Sequence, residues 1–176
     1  MKNVTVRELI PEQEVLHRLD ALAAEINGHY AGKPLVLVCV LKGAFMFFSD
    51  LVRRLDVGPE VDFVRVASYG TGTESTKNIS FSKDIEISLE GKHVILVDDI
   101  VDSGYTMDFL RAQFASRGAK SLRVAALIDK KERREVPVTV DYPGFVLQSG
   151  FLVGYGLDYA ERYRSRPSIC EAVFSE

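Results

Sequence analysis

Three short runs, Leu35–Val40, His93–Val97 and Leu122–Ile128, are dominated by consecutive apolar residues. A strand with one wet face alternates apolar and polar side chains, so runs without that alternation must be covered on both sides. Helical patterns lie between them. Pro11 suits a first helical turn, Glu12 and Glu14 suit its positive dipole end, and Val15, Leu19, Leu22, Ile26 and Tyr30 recur at spacings of four and three up to about Gly32. Residues 44–55 and 106–117 read as further helices. Together these features predict an α/β fold with a mostly parallel sheet flanked by helices. Residues 61–67 read as another strand, followed by the Gly/Ser/Thr-rich stretch 68–77. The strand-like pieces within 61–87 and 138–147 predict an antiparallel flap attached to the sheet.

At 176 residues, without repeats or a linker, the chain is expected to form a single domain over 1–176. Lys and Arg total 22 against 25 Asp and Glu, a net charge of −3 that argues against nucleic acid or an anionic membrane as main partner. No apolar run approaches the roughly 20 residues of a membrane span. The start, Met1–Thr5, lacks the apolar core of a signal peptide. Cys39 and Cys170 read as buried thiols, and His17, His29 and His93 show no ligand spacing with them. A cytoplasmic location and no structural zinc are expected.

Ligands in open α/β sheets bind beyond the carboxyl ends of the strands, which directs attention to Asp98-Asp99-Ile100-Val101-Asp102-Ser103-Gly104-Tyr105-Thr106. A strand here gives way to a turn with three carboxylates, a hydroxyl-rich corner and a helix start. The first N–H groups of a helix lack intrahelical partners and suit a phosphate. Gly104 permits close backbone approach, and Ser103 and Thr106 add hydroxyls. Neither a Walker loop nor a GxGxxG fingerprint is present. Acids beside a phosphate cradle repel the ligand unless they bind hydroxyls or a metal, and a sugar diol with Mg²⁺ meets that condition. The plainer alternative is a polar turn with Ser103 as a helix cap.

This segment resembles the diphosphate-sugar loop of the phosphoribosyltransferase family. Leu41-Lys42-Gly43, Ser68-Tyr69-Gly70, Asp129-Lys130 and Phe151 to Tyr159 follow in family order, and over nearly the whole length the chain is similar to the short bacterial hypoxanthine(-guanine) phosphoribosyltransferases. The resemblance implies the type I fold, a parallel sheet with a small hood and a flexible flap. It implies transfer of 5-phosphoribosyl from phosphoribosyl pyrophosphate to a 6-oxopurine (hypoxanthine, with guanine) in purine salvage, with Mg²⁺, in a homodimer or homotetramer.

By resemblance, Asp102 is the general acid/base facing purine N7. Asp98 and Asp99 take the ribose hydroxyls, and Ser103, Gly104, Tyr105 and Thr106 cradle the 5′-phosphate. The Lys42 backbone amide, freed by a cis peptide after Leu41, binds pyrophosphate with Gly43 and Arg164. Asp158, with Asp98 and Asp99, meets the metal. Lys130 reads O6, Phe151 stacks on the base, and the Leu152 backbone reads its pyrimidine edge. Ser68 and Tyr69 open the flap, with Gly70 and Gly72 as hinges. Many relatives carry Glu where Asp98 stands. They often carry a Pro-acid pair within the stretch here occupied by Leu147-Gln148-Ser149-Gly150, which leaves the choice among hypoxanthine, guanine and xanthine open.

Taken singly, these residues have plainer readings. Lys42 reads as a solvated lysine, the run Lys130-Lys131-Glu132-Arg133-Arg134 as a solvated loop, Phe151 as core, and Asp158 and Arg164 as a surface pair on a helical turn. Two other functions fit the fold class: a regulator binding nucleotide and nucleic acid, and a transferase for a different base such as a pyrimidine.

Overall fold

In the computed structural model, which describes residues 3–69 and 78–175, the three apolar runs become adjacent inner strands of one sheet. The elements are β1 (Asn3–Ile10), α1 (Glu12–Tyr30), β2 (Leu35–Val40), α2 (Phe45–Val52), β3 (Glu60–Tyr69), β4 (Asn78–Lys83), β5 (His93–Val101), α3 (Tyr105–Ala115), β6 (Ser121–Lys130), β7 (Tyr142–Leu147), β8 (Leu152–Val153) and β9 (Ile169–Ser175). The larger sheet runs β4-β3-β2-β5-β6-β7, parallel except for the β3–β4 pair.

Alternate residues of the inner strands feed two cores. Leu35, Leu37, Cys39, Ile95 and Val97 pack with Leu19, Leu22 and Ile26 of α1 and Phe47 and Leu51 of α2. Val36, Val38, Val40, Val94 and Leu96 pack with Met107, Leu110 and Phe114 of α3. Full burial of such a side chain stabilises by about 1.5–3 kcal/mol, and this two-sided burial is why the runs lack alternation. The predicted stripe on α1 is the buried one: Val15, Leu19, Leu22, Ile26 and Tyr30, joined by Ala23.

Several expectations are corrected. Residues 142–147 form β7, which runs parallel to β6 with Ala125 opposite Tyr142 and Lys130 opposite Leu147; the antiparallel flap reading holds for the β3–β4 pair alone. Residues 131–141 make the long crossover that a parallel neighbour requires, and the residue pattern of a strand does not encode its direction. The acids Asp98 and Asp99 do not stand in a turn: β5 continues to Val101, because β6 extends alongside and pairs Asp98 with Ala126 and Val101 with Asp129. The second helix is shorter than residues 44–55 suggested. No helix carries Asp158 and Arg164, since 154–168 is a turn-rich loop. Residues 70–77, which include Gly70 and Gly72 of the expected flap, lie outside the described residues; Ser68 and Tyr69 end β3 and pair with Ile79 and Asn78.

A second, antiparallel sheet, β1-β9-β8, forms the hood. Residues from the two ends of the sequence build it, in register from Asn3 opposite Ser175 to Ile10 opposite Ile169. In the larger sheet the strand order reverses between β2 and β5: β2 leads through α2 to β3 on one side, and β5 leads through α3 to β6 on the other. That reversal opens a crevice above the strand ends. Among the described residues no helix is long and apolar enough to cross a membrane.

Candidate active site

The β2–α2 loop and the end of β5 meet at this crevice. The Leu41–Lys42 peptide is cis, as the resemblance implied. Gly43 packs so closely on Asp99 that an added Cβ would stand 1.7 Å from Asp99 Oδ2. The 154–168 loop closes from the hood side, where a Cβ on Gly156 (φ +97°) would stand 2.1 Å from the Gly43 carbonyl oxygen. A side chain at Gly43 would displace its loop or the Asp99 carboxylate, and one at Gly156 would force the two loops apart; Gly156 also needs the left-handed backbone that glycine tolerates.

Asp98, Asp99, Asp102, Ser103, Gly104 and Thr106 line a cavity of about 290 Å³, together with Val40, Leu41 and the first turn of α3. Gly104 (φ +95°) lets the chain enter α3, and a Cβ there would stand 2.5 Å from the Val136 carbonyl oxygen. The Ser103 carbonyl accepts from the N–H groups of Glu135 and Val136, both at 3.0 Å. The corner is therefore held by its carbonyl side, and the open end of α3 faces the cavity. Tyr105 does not line it, and its hydroxyl donates to Glu135 at 2.9 Å. Burial, then the neighbouring Asp99 charge, pushes the Asp98 carboxyl well above the usual carboxylate range. Burial raises Asp99 too, against hydrogen bonds and the Arg164 charge that favour its ionised form. Two adjacent acids deprived of water make a place for sugar hydroxyls or a cation.

A second cavity of about 450 Å³ shares Asp99, Ile100 and Asp102 with the first and extends to Lys130, Phe151, Leu152 and Asp158. The sheet supplies Lys130 and Asp102, and the hood supplies Phe151 and Leu152. Lys130 Nζ is 3.8 Å from Asp102 Oδ2 and 3.7 Å from a Glu132 oxygen, with only 7% of its side chain exposed. Asp102 Oδ1 is buried with no hydrogen-bond partner among the described residues, an acceptor short of a donor. Phe151 is 44% exposed, which rules out the core reading. Its ring meets those of Tyr159 and Phe174 edge-to-face, with centroids 5.5 and 5.2 Å away.

Lys42 and Arg164, far apart in sequence, converge beside Asp158. Arg164 Nη2 lies 2.8 Å from Asp158 Oδ1, and its Nη1 donates to the Gly156 carbonyl at 2.8 Å. Glu161 bridges the two cations, 2.8 Å from Lys42 Nζ and 3.0 Å from Arg164 Nη2. Those contacts, that from Lys42 foremost, hold its carboxyl below the usual range.

Two residues of this site escaped the sequence reading. Arg134, expected in a solvated loop, is 14% exposed. It donates to the carbonyls of Val101 and Asp102 (2.8 Å each), Val138 (2.9 Å) and Lys130 (3.0 Å), and to Asp129 Oδ1 (2.7 Å). One guanidinium thereby ties the end of β5 to the end of β6, setting Asp102 against Lys130. The other is Glu161. Nothing in a charge run distinguishes the arginine that turns inward. The one available hint was position, four residues beyond a buried strand.

The profile of the phosphoribosyl transferase domain matches residues 6–160. The chain belongs to the phosphoribosyltransferase family. It is 43% identical over 171 residues to the hypoxanthine phosphoribosyltransferase of Escherichia coli strain K12, covering 96% of each chain. It is 40% identical over 169 residues to the hypoxanthine-guanine phosphoribosyltransferase of Bacillus subtilis, covering 96% of this chain and 94% of that one. A crystal structure of a hypoxanthine-guanine phosphoribosyltransferase from Bacillus anthracis superposes with a TM-score of 0.90 at 38% identity, over 97% of this chain and 99% of that one. The type I phosphoribosyltransferase fold expected from the sequence is the fold found.

Proposed function

We propose that this phosphoribosyltransferase acts in purine salvage, transferring 5-phosphoribosyl from phosphoribosyl pyrophosphate to hypoxanthine, and to guanine, with release of pyrophosphate. The observation that carries the reading is the buried Asp102 Oδ1, without a hydrogen-bond partner among the described residues, in the cavity that Lys130 and Phe151 line, next to the cavity at the start of α3. A 6-oxopurine supplies what each group lacks. Its N7–H can donate to Asp102, its O6 can accept from Lys130, and its ring can stack on Phe151. Adenine offers Lys130 an amine in place of a carbonyl and gives that buried ammonium no acceptor on the base.

In this reading Ser103, Gly104, Thr106 and the N-terminus of α3 hold the 5′-phosphate, Tyr105 contributing backbone only, while Asp98 and Asp99 take the ribose hydroxyls. The Lys42 backbone amide, with Gly43 and Arg164, holds the diphosphate. The bond from C1 to the diphosphate oxygen breaks as N9 of the base bonds to C1. The ring becomes more acidic as it gives up electron density, and Asp102 accepts the N7 proton. Lys130 remains charged and stabilises the electron density left on O6. The Leu152 backbone reads the pyrimidine edge, and Ser68 and Tyr69 stand where the flap implied by the resemblance begins.

Asp158, Asp98 and Asp99 are oxygen donors of the kind Mg²⁺ takes, and one or two carboxylates completed by substrate oxygens suit it better than an all-protein cage. Among the described residues no group of three metal-binding side chains occurs, so Asp158, Asp98 and Asp99 do not form one cluster. The positive charge of Mg²⁺ would favour departure of the diphosphate. We also propose a homodimer or homotetramer, because Phe45, Val61 and Phe63 on α2 and β3 leave apolar surface exposed. The buried free thiols Cys39 and Cys170 suit a reducing cytoplasm.

The test is pyrophosphate release from phosphoribosyl pyrophosphate and Mg²⁺ with hypoxanthine, guanine, xanthine, adenine or uracil. Turnover with hypoxanthine or guanine and little with adenine or uracil is expected. Donor binding without turnover of any base would overturn the reading.

A further inference from the structure

Tyr155 has no part in the reaction as proposed, yet it joins the hood side of the site to α2. Three consecutive residues, Gly154, Tyr155 and Gly156, hold positive φ (95°, 48° and 97°), a conformation that a bulky aromatic residue rarely adopts. Hydrogen bonds fix this turn: the Tyr155 N–H donates to the Arg166 carbonyl at 2.8 Å, and the Gly156 N–H to the Arg164 carbonyl at 3.0 Å. The turn places the Tyr155 ring, 3% exposed, in the core that holds Phe47 and Leu51 of α2. There its hydroxyl donates to Asp50 Oδ2, on a carboxylate whose other oxygen meets Arg53. Burial, then that carboxylate, pushes the phenol well above its usual range, so it remains the donor. We propose that Tyr155 is a positioning residue for the diphosphate, its hydrogen bond to Asp50 setting the spacing of the two loops that bind that group. The inference rests on the reading above, in which the Lys42 backbone amide, Gly43 and Arg164 hold the diphosphate.

Lys42 and Gly43 lie just before α2, whereas Arg164 belongs to the hood side, where its Nη1 donates to the Gly156 carbonyl at 2.8 Å. Gly156 is therefore bonded to Arg164 through both its N–H and its carbonyl. It also packs on Gly43, since a Cβ on it would stand 2.1 Å from the Gly43 carbonyl oxygen. Tyr155 is the residue beside Gly156, and its hydroxyl is tied to the helix that follows Gly43. Among the described residues this is the one side-chain hydrogen bond between α2 and residues 154–168. A second tie between the loops, from Lys42 Nζ to Glu161, is exposed at both ends, and exposed ion pairs are weak. Without the Tyr155 hydroxyl the donor itself must draw the loops to the right spacing, so its affinity falls. The base subsite is held independently: Leu152 pairs with Glu171 of β9, and Arg134 holds the carbonyls of Asp102 and Lys130. The loss is therefore confined to the donor and pyrophosphate.

The experiment is titration calorimetry of wild type, Tyr155→Phe, Asp50→Ala and Asp50→Asn with pyrophosphate and with phosphoribosyl pyrophosphate, each with MgCl₂, alongside steady-state kinetics. Tyr155→Phe keeps the ring in place and deletes only the hydroxyl. It is expected to bind both ligands about tenfold more weakly, the low end for loss of a hydrogen bond to a charged group, with KM for the donor rising in step. KM for hypoxanthine and kcat at saturating donor should stay within about twofold of wild type. Asp50→Ala should match Tyr155→Phe, and the two together should weaken binding no further, because they remove one interaction. Asp50→Asn, whose amide oxygen still accepts, should recover most of the affinity. If the wild type turns over while Tyr155→Phe binds the donor within about twofold of it, this inference alone falls. An equal fall in donor affinity, hypoxanthine affinity and kcat also overturns it, since that pattern marks a general loosening of the hood. If the wild type neither binds the donor nor turns over, the functional reading falls and takes this one with it.

Discussion

Replacing Arg134 by leucine keeps an apolar stem in place and deletes the guanidinium. Four carbonyls and the Asp129 carboxylate lose a donor. A neutral hydrogen bond contributes about 0.5–1.5 kcal/mol net and one to a charged group about 1.5–3 kcal/mol, but five bonds sharing one group do not add. The better bound is the loss of one partner from a buried ion pair, about 3–5 kcal/mol. Asp129 keeps Lys131 at 2.6 Å, which favours the low end. We expect Arg134→Leu to lose about 3 kcal/mol. Arg134→Lys, which retains charge beside Asp129 without the planar fork, should lose about 1–2 kcal/mol. Against a typical stability of about 5–15 kcal/mol both variants fold, and urea unfolding at 25 °C measures the differences. Because the same guanidinium holds the carbonyls of Asp102 and Lys130, kcat/KM for the base should fall at least about tenfold in folded Arg134→Lys. If that variant kept kcat/KM within about twofold of wild type, the claim that Arg134 positions this pair would be refuted.

Three further outcomes follow from the geometry. In Gly43→Ala the new Cβ would stand 1.7 Å from Asp99 Oδ2, so the β2–α2 loop or the acid must shift; kcat/KM should drop about a hundredfold, and unaltered kinetics would contradict the close approach. Asp102→Ala should lower kcat by about 10²- to 10⁴-fold while calorimetry shows donor binding largely intact, and near-normal turnover would remove Asp102 from the acid/base role. Burial, followed by the charges of Asp98 and Asp99, pushes the Cys39 thiol up to about 12. Its folded value lies above its unfolded one, so the stability it confers is complete below about pH 9 and is lost as pH rises toward 12, at about 1.4 kcal/mol per pH unit. Denaturant melts from pH 8 to 10.5 should show that decline in wild type and a shallower one in Cys39→Ala. Equal slopes would refute the assignment.

Local chemistry made much of this molecule legible. The run Leu35–Val40 is β2 to the residue, because a strand buried on both faces carries its own pattern. Pro11, two early acids and a stripe at spacings of three and four marked α1, since capping and amphipathicity act within a few residues. Asp98, Asp99, Asp102, Ser103, Gly104 and Thr106, adjacent in the sequence, line one cavity for the same reason. Direction and partner were not legible. Nothing within residues 142–147 says that they run parallel to β6, and nothing in the first or last ten residues says that each finds the other in the hood.

The division follows the range of the forces involved. Hydrophobic period, helix capping and glycine's backbone freedom act along the chain, so the elements, the two-sided sheet and the Gly104 corner into α3 could be read from residue order. The pairing of Asn3 with Ser175, the approach of Gly43 to Asp99, the bonds from Arg134 to the carbonyls of Val101 and Asp102 and the contact of Glu161 with Lys42 join residues about thirty or more positions apart. Such contacts depend on where whole layers come to rest, and a side chain's charge does not reveal whether it will meet water or a buried carbonyl.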